Sequence, residues 1–174
     1  MTKRVLIIAT NGFEQSELMD PKAALEAAGF ETVVASPEEG EIKGWHHTDW
    51  GKSVKVDASL DEVSEGDFDA LLLPGGQMNP DILRMDDRVI DLIEDFNDAE
   101  KPIAAICHAP WLLIEADVVD GRTVTSWPSV RTDLRNAGAN VVDQEVAIDG
   151  NLITSRKPDD IPAFNKALIE MLDD

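Results

Sequence analysis

The chain has 174 residues, of which 35 are acidic and 15 are Lys or Arg, and its formal net charge is -20. A chain of this length can bury about 70% of its unfolded surface in one core, so we expect a single domain over residues 1–174. The negative charge repels phosphate backbones and anionic lipids, which argues against a nucleic acid or a membrane as partner. No apolar run approaches the ~18 residues that span a bilayer, and the first residues show no signal-peptide pattern, so we expect a soluble, cytoplasmic protein.

Short apolar runs alternate with amphipathic segments along the chain. The predicted strands occupy residues 5–9, 32–35, 70–73, 102–106, 123–125, 141–148 and 152–154. The predicted helices occupy residues 16–29, 80–96, 110–116, 130–137 and 161–172. Residues 36–53 fit neither pattern and predict a long loop or a small hairpin extension. The alternation predicts an α/β fold with a doubly wound, mostly parallel sheet and helices on both faces.

The only cysteine, Cys107, stands where the predicted strand 102–106 gives way to the predicted helix 110–116. Unpaired N–H groups and the positive end of a helix dipole favour a thiolate, which would lower the thiol pKa from about 8.5 towards neutrality. We therefore consider Cys107 a candidate nucleophile. The alternative is a small buried apolar residue, which is the usual role of a free cysteine.

Three of the predicted strands end in polar or glycine-rich turns, at residues 10–14, 74–76 and 107–108. Ligands of open α/β sheets bind beyond the carboxyl ends of the strands, where these turns would meet. This convergence favours a catalytic Cys107 over a structural one.

Four motifs around these turns resemble one known family. They are residues 11–17 (NGFEQSE), 73–76 (LPGG), 106–110 (ICHAP) and 125–128 (TSWP). Together they resemble the DJ-1/PfpI superfamily, and within it the branch of PfpI-type intracellular proteases and stress proteins. The resemblance implies a flavodoxin-like sandwich with Cys107 on a nucleophile elbow. It also implies a homo-oligomer, either a dimer or a larger ring such as a trimer or hexamer, whose active site lies at a subunit contact.

The resemblance assigns roles to residues around Cys107. Glu14 corresponds to the glutamate that contacts the sulfur, while Glu17 is expected to be an acid at a helix N-terminus. Because a carboxylate beside a thiolate is a like-charge pair, one of the two groups should hold a proton. The N–H groups of Gly75, Gly76 and His108 would face an oxyanion, since glycine permits the close backbone approach.

In the PfpI branch, the histidine that follows the nucleophile works with an acid from the neighbouring subunit. This histidine is His108, and the acid maps to Asp81 by its position after the double glycine. An ordinary acid in the first turn of a helix is the alternative for Asp81.

Residues 44–51 (GWHHTDWG) form a segment that is also similar to one in this branch. We expect it to shape a pocket wall or an oligomer contact, with His47, Trp111 and Trp127 lining the pocket. Core packing is the alternative for the two tryptophans. A metal site is not expected, because the adjacent histidines His46 and His47 would point to opposite sides of an extended chain.

The resemblance thus predicts a cysteine-dependent enzyme that acts on reactive carbonyls or their adducts, as a glyoxalase or deglycase, without an external cofactor. Cys107 would add to the electrophilic carbon, with Glu14 and His108 moving protons. An intracellular peptidase of the PfpI type would use the same nucleophile. A redox sensor or stress chaperone whose Cys107 oxidises to the sulfinate is a third, non-enzymatic alternative.

Overall fold

A seven-stranded sheet with helices on both faces lies at the centre of the computed structural model, which describes all 174 residues. The strands are β1 (Arg4–Ile8), β2 (Glu31–Ser36), β3 (Glu41–His46), β4 (Asp49–Lys55), β5 (Ala58–Ser59), β6 (Ala70–Leu73), β7 (Ile103–Ile106), β8 (Thr123–Val124), β9 (Asn140–Val141), β10 (Ala147–Asp149) and β11 (Leu152–Ser155). The helices are α1 (Gln15–Ala27), α2 (Met78–Leu83), α3 (Asp87–Asp98), α4 (Pro110–Glu115), α5 (Arg131–Asn136) and α6 (Ile161–Asp173). The strand order is β10-β11-β7-β6-β1-β2-β5, and only the β10–β11 pair is antiparallel. The predicted α/β fold is confirmed.

The sheet separates two apolar cores, because successive side chains of a strand point to opposite faces. Leu6 and Ile8 of β1 lie in the core that also contains side chains of α3, α4 and α5. Val5 and Ile7 lie in the core that contains side chains of α1 and α6. All four are fully buried, which explains why the central strands have uninterrupted apolar sequences.

The stretch predicted as a loop or small hairpin is a two-stranded hairpin, β3–β4, outside the main sheet. Gly12 donates its N–H to the carbonyl of Lys43 at 2.8 Å, and Trp45 donates its N–H to the carbonyl of Phe13 at 2.7 Å. Gly44 permits this approach, because a Cβ there would lie 2.9 Å from the Phe13 ring. The hairpin is therefore attached to the loop between β1 and α1, at the carboxyl edge of the sheet.

Some predicted boundaries are wrong. The predicted helix 80–96 is two helices, α2 and α3, and the Asp86 side chain starts the second by accepting the Arg88 N–H at 3.0 Å. The predicted strand 141–148 is replaced by two short strands, β9 and β10, that pair with different partners. None of the helices combines the length and the hydropathy that a membrane crossing requires.

Candidate active site

Cys107 lies on a sharp turn between β7 and α4, with a backbone φ of 66°. This left-handed conformation is costly for a residue other than glycine, and it persists only where the surroundings hold it. Here the Cys107 N–H donates to the Ser155 carbonyl at 3.0 Å, and the Cys107 carbonyl accepts the Trp127 N–H at 2.9 Å. The turn has the form of a nucleophile elbow, and the residue is 5% exposed.

The carboxyl group beside the Cys107 sulfur belongs to Glu17, and the expectation that Glu14 makes this contact is wrong. Glu17 lies in the first turn of α1 with no exposed surface. The Cys107 thiol and the N–H groups of Gly75 and Gly76 face its carboxyl, although neither oxygen has a partner in strict hydrogen-bond geometry. Burial, and to a smaller extent the charge of Glu14, raises the pKa of Glu17 to about 8. Glu17 is therefore protonated at neutral pH.

The environment of the thiol differs from the expectation based on a helix dipole. Burial raises the pKa of the Cys107 thiol and the Glu17 carboxyl raises it further, whereas the N–H groups of Gly76 and His108 lower it. The prediction that the thiol pKa is lowered is therefore wrong in direction. The helix α4 begins only at Pro110 and has 6 residues, so its dipole does not offset the effect of burial on the thiol. A thiolate and a carboxylate this close repel each other, so the Cys107–Glu17 pair carries at most one negative charge near neutral pH.

The double glycine packs directly against the elbow. A Cβ on Gly75 would lie 2.5 Å from Glu17 Oε1 and 2.7 Å from Cys107 Cβ. Gly76 has a φ of 91°, and a Cβ on it would lie 2.6 Å from the Gly12 carbonyl oxygen. The Gly76 and His108 N–H groups face the sulfur, whereas the Gly75 N–H faces only the Glu17 carboxyl. An oxyanion formed at Cys107 would thus meet two of the three predicted donors.

His108 lies beside the sulfur, with its Nδ1 3.1 Å from Cys107 Sγ. Burial lowers the pKa of His108, so the ring is neutral at neutral pH. The ring stacks on Trp127 with centroids 5.6 Å apart and meets the edge of Trp111 at 5.1 Å. These two contacts fix the orientation of the imidazole.

Asp81 is exposed in the first turn of α2 and does not line the cavity next to Cys107. The predicted role requires Asp81 to reach His108 of a second chain. That role stays a prediction.

The Cys107 cavity has a volume of about 520 Å³ at the carboxyl edge of the sheet. It is lined by Glu14, Ser16, Glu17, His46, His47, Gly76, Gln77, Cys107, His108, Trp127 and Pro158. The chain brings no group of three or more His, Cys, Asp or Glu side chains close enough together to hold a metal ion.

Of the predicted pocket residues, His47 and Trp127 line the Cys107 cavity and Trp111 does not. Trp111 lies in a separate groove, where its Nε1–H donates to Asp133 at 3.0 Å. Five lining residues were not predicted as part of the site, namely Ser16, Glu17, His46, Gln77 and Pro158. Gln77 could have been found because it directly follows the double glycine, but nothing local marks Pro158 as a pocket residue.

Proteins of known sequence resemble the chain over nearly its full length. It is 47% identical to General stress protein 18 of Bacillus subtilis, over 99% of each chain. It is 44% identical to "Protein/nucleic acid deglycase 2" of Escherichia coli, also over 99% of each. It is 43% identical over 99% of each to a second Bacillus subtilis protein, named "Putative cysteine protease YraA".

Solved structures share the fold. The crystal structure of Drosophila melanogaster DJ-1beta matches with a TM-score of 0.90 and 33% identity, over 99% of this chain and 91% of that one. A protein of Anabaena variabilis with DJ-1/ThiJ/PfpI-like and ferritin-like domains matches with a TM-score of 0.93 and 34% identity, and this chain spans 48% of its length. A model of the DJ-1/PfpI family matches residues 3–171. The chain therefore belongs to the DJ-1/PfpI family.

Proposed function

We propose that the protein is a cysteine-dependent enzyme that acts on reactive carbonyl compounds or their adducts, as a glyoxalase or deglycase does. The supporting observation is that Cys107 lies beside a carboxylic acid, Glu17, that keeps its proton at neutral pH. Attack on a carbonyl needs a nucleophile for the carbon and an acid for the oxygen, and this pair supplies both. The 44% identity to a protein named as a deglycase and the 47% identity to a stress protein support the same activity.

In the first step, the Cys107 sulfur forms a bond to the aldehyde carbon of a 2-oxoaldehyde. The thiol proton passes to His108 Nδ1, which lies 3.1 Å away. The carbonyl electron pair moves to the oxygen, which the N–H groups of Gly76 and His108 stabilise. The oxygen then takes a proton from Glu17, leaving a hemithioacetal, an imidazolium and a carboxylate.

In the second step, the Glu17 carboxylate removes the proton from the carbon bound to sulfur, while the His108 imidazolium protonates the neighbouring carbonyl oxygen, which gives an enediol. Glu17 then gives its proton to the neighbouring carbon, and the hydroxyl on the carbon bound to sulfur loses its proton to His108, which leaves a thioester beside a carbon that carries a hydroxyl. One carbon is oxidised as its neighbour is reduced, so no external oxidant or reductant is consumed. Water hydrolyses the resulting thioester to a 2-hydroxy acid and restores the thiol. For an amine adduct, the sulfur would displace the amine, which leaves with a proton.

Turnover of methylglyoxal by the wild type and by Cys107→Ser tests this proposal. We expect the substitution to lower kcat/KM by at least about a hundredfold, because serine is a far weaker nucleophile at neutral pH. Urea denaturation of both proteins serves as the folding control. A Cys107→Ser variant with wild-type turnover would show that the sulfur takes no part.

A peptidase of the PfpI type is the second candidate, favoured by the name of the 43% identical relative YraA. The same sulfur and the same N–H donors would then carry out acyl transfer. Assaying peptide substrates alongside methylglyoxal separates the two activities. Sulfinate at Cys107 after brief exposure to dilute peroxide, without turnover of either substrate, would instead favour the redox-sensor alternative.

We also propose that a second copy of the chain completes the site through Asp81. Ile82 and Met85, close to Asp81 in sequence, are 43% and 77% exposed, which supports a contact on this side.

The cytoplasm is the compartment we propose, since a reactive unpaired thiol suits a reducing environment.

A further inference from the structure

The cavity beside Cys107 contains a carboxylate that has no basic partner. Glu14 lines the cavity, is half-buried and accepts one side-chain hydrogen bond, from Ser16 Oγ at 3.3 Å. No lysine or arginine lines the cavity, and Glu14 takes part in none of the ion pairs of the chain. A half-buried carboxylate in this setting is an open site for a cation.

An aromatic ring lines the same cavity. Trp127 is 36% exposed and forms part of the wall, while its ring stacks on His108 at 5.6 Å. Indole faces attract guanidinium and ammonium groups, and the attraction is stronger where water is partly excluded. His108 is neutral at neutral pH because burial lowers its pKa, so it does not oppose a bound cation.

We propose that the Cys107 cavity prefers carbonyl adducts that carry a cationic group over neutral or anionic ones, and that Glu14 is the specificity-determining residue. A cationic group in the cavity gains charge contacts with the Glu14 carboxylate and with an indole face of Trp127, whereas a neutral adduct gains neither charge contact and an anionic adduct is repelled by the carboxylate. The identity of the reacting carbon rests on the proposed function. The charge preference of the cavity does not, so the two can fail separately.

The net charge of -20 attracts cations at long range, and the test has to separate this effect from a contact with Glu14. Salt at about 0.5 M screens charges beyond a few ångströms, so measurements at this salt concentration retain mainly the local contribution. Glu39→Gln is a matched control, because Glu39 is exposed outside the cavity and its loss changes the net charge by the same amount.

The single cysteine makes the preference measurable without turnover. Two methanethiosulfonate reagents, one with an aminoethyl and one with a sulfonatoethyl group, modify a thiolate by the same displacement of methanesulfinate. The ratio of their rates at Cys107, divided by the ratio for free 2-mercaptoethanol, reports charge selection. Thiol ionisation changes both rates by the same factor and therefore cancels in the ratio. This cancellation matters because Glu14 also raises the pKa of Glu17, and Glu17 in turn affects the pKa of the Cys107 thiol.

We expect the wild-type protein to favour the cationic reagent by about tenfold or more, the size of one close charge contact at partial burial. Glu14→Gln should lower the ratio about tenfold, Glu14→Asp should restore much of it, and Glu39→Gln should match the wild type. A wild-type ratio near one, an unchanged ratio in Glu14→Gln, or an equal fall in Glu39→Gln would overturn the inference.

Turnover gives a second measure. We expect kcat/KM for the methylglyoxal adduct of N-acetylarginine amide, divided by that for methylglyoxal, to fall in Glu14→Gln. A charge preference in the modification assay without turnover of any carbonyl would overturn the proposed function and leave the charge preference of the cavity, with Glu14 as its cause, standing. Turnover of methylglyoxal without a charge preference would overturn this inference and leave the proposed function standing.

Discussion

Cys107 illustrates how one residue is held in a costly conformation. A φ of 66° places a non-glycine residue in the left-handed region, at a cost of about 1–3 kcal/mol. The backbone hydrogen bonds to Ser155 and Trp127 and the close packing of Gly75 against Cys107 Cβ hold the turn in this conformation. The strain directs the side chain towards Glu17 and His108, which is the arrangement that the proposed chemistry needs.

Glu17 gives the protein a pH dependence of unusual sign. Its pKa rises from 4.5 to about 8 on folding, so between these values the folded state holds a proton that the unfolded chain has released. The free energy of unfolding attributable to this group therefore falls as pH rises through the window, and the loss is complete above pH 8.

Glu17→Gln should remove this loss of stability. We expect the unfolding free energy of the variant, relative to wild type, to rise by roughly 2–4 kcal/mol between pH 5 and pH 8. Urea denaturation at several pH values measures it, with the exposed Glu39→Gln as the control that should follow wild type. Parallel pH profiles for wild type and Glu17→Gln would contradict the raised pKa.

At the scale of secondary-structure elements, the β3–β4 hairpin forms one wall of the cavity through His46 and His47. His47 has a φ of 58°, and its carbonyl accepts the Nε1–H of Trp45 at 2.8 Å. Trp50 packs against Trp45 edge to face, with ring centroids 5.3 Å apart. The Trp45 indole hydrogen bond therefore helps to hold the turn at His47 in place.

Trp45→Phe should loosen this wall while keeping an aromatic ring. We expect KM for a carbonyl substrate to rise severalfold, and stability to change by no more than about 1 kcal/mol, the usual contribution of one hydrogen bond. Trp50→Phe is the matched control, because Trp50 is 45% exposed and makes no such bond to His47. Equal KM values in the two variants would remove the role assigned to the bond.

At the scale of the whole molecule, charge opposes the proposed self-association. Two chains that each carry a net charge of -20 repel until salt screens them, so assembly should strengthen as KCl is raised from about 0.05 M to 1 M. Sedimentation velocity measures this dependence. Assembly that weakens with salt would point to an interface held by ion pairs instead.

Substitutions at two exposed isoleucines test where the proposed contact lies. Ile82→Lys should disrupt assembly, whereas Ile148→Lys, at a site that is 54% exposed on β10, should not. Both variants change the net charge equally, so a difference between them reflects position.

Asp81→Asn should lower turnover without dissociating the assembly, and unchanged turnover would remove Asp81 from the site.

Local patterns were enough to predict the main strands, most of the helices and the meeting of the 10–14, 74–76 and 107–108 turns at one edge. Apolar runs and turn residues act over a few neighbours, and parallel strands bring their carboxyl ends together whatever the details of packing. The family motifs, which carry their own order and spacing, located Cys107, His108 and the double glycine.

The sequence by itself thus determined the fold class and the position of Cys107 at the turn between a buried strand and a helix, because both follow from local composition and chain order. Only the tertiary structure decided that Glu17, rather than Glu14 three positions earlier, contacts the sulfur, because this depends on which side of α1 faces β7. It also decided that Trp127 lines the cavity while Trp111 does not, and that the thiol pKa rises. These outcomes depend on burial and on distances between segments remote in sequence, which no local pattern specifies.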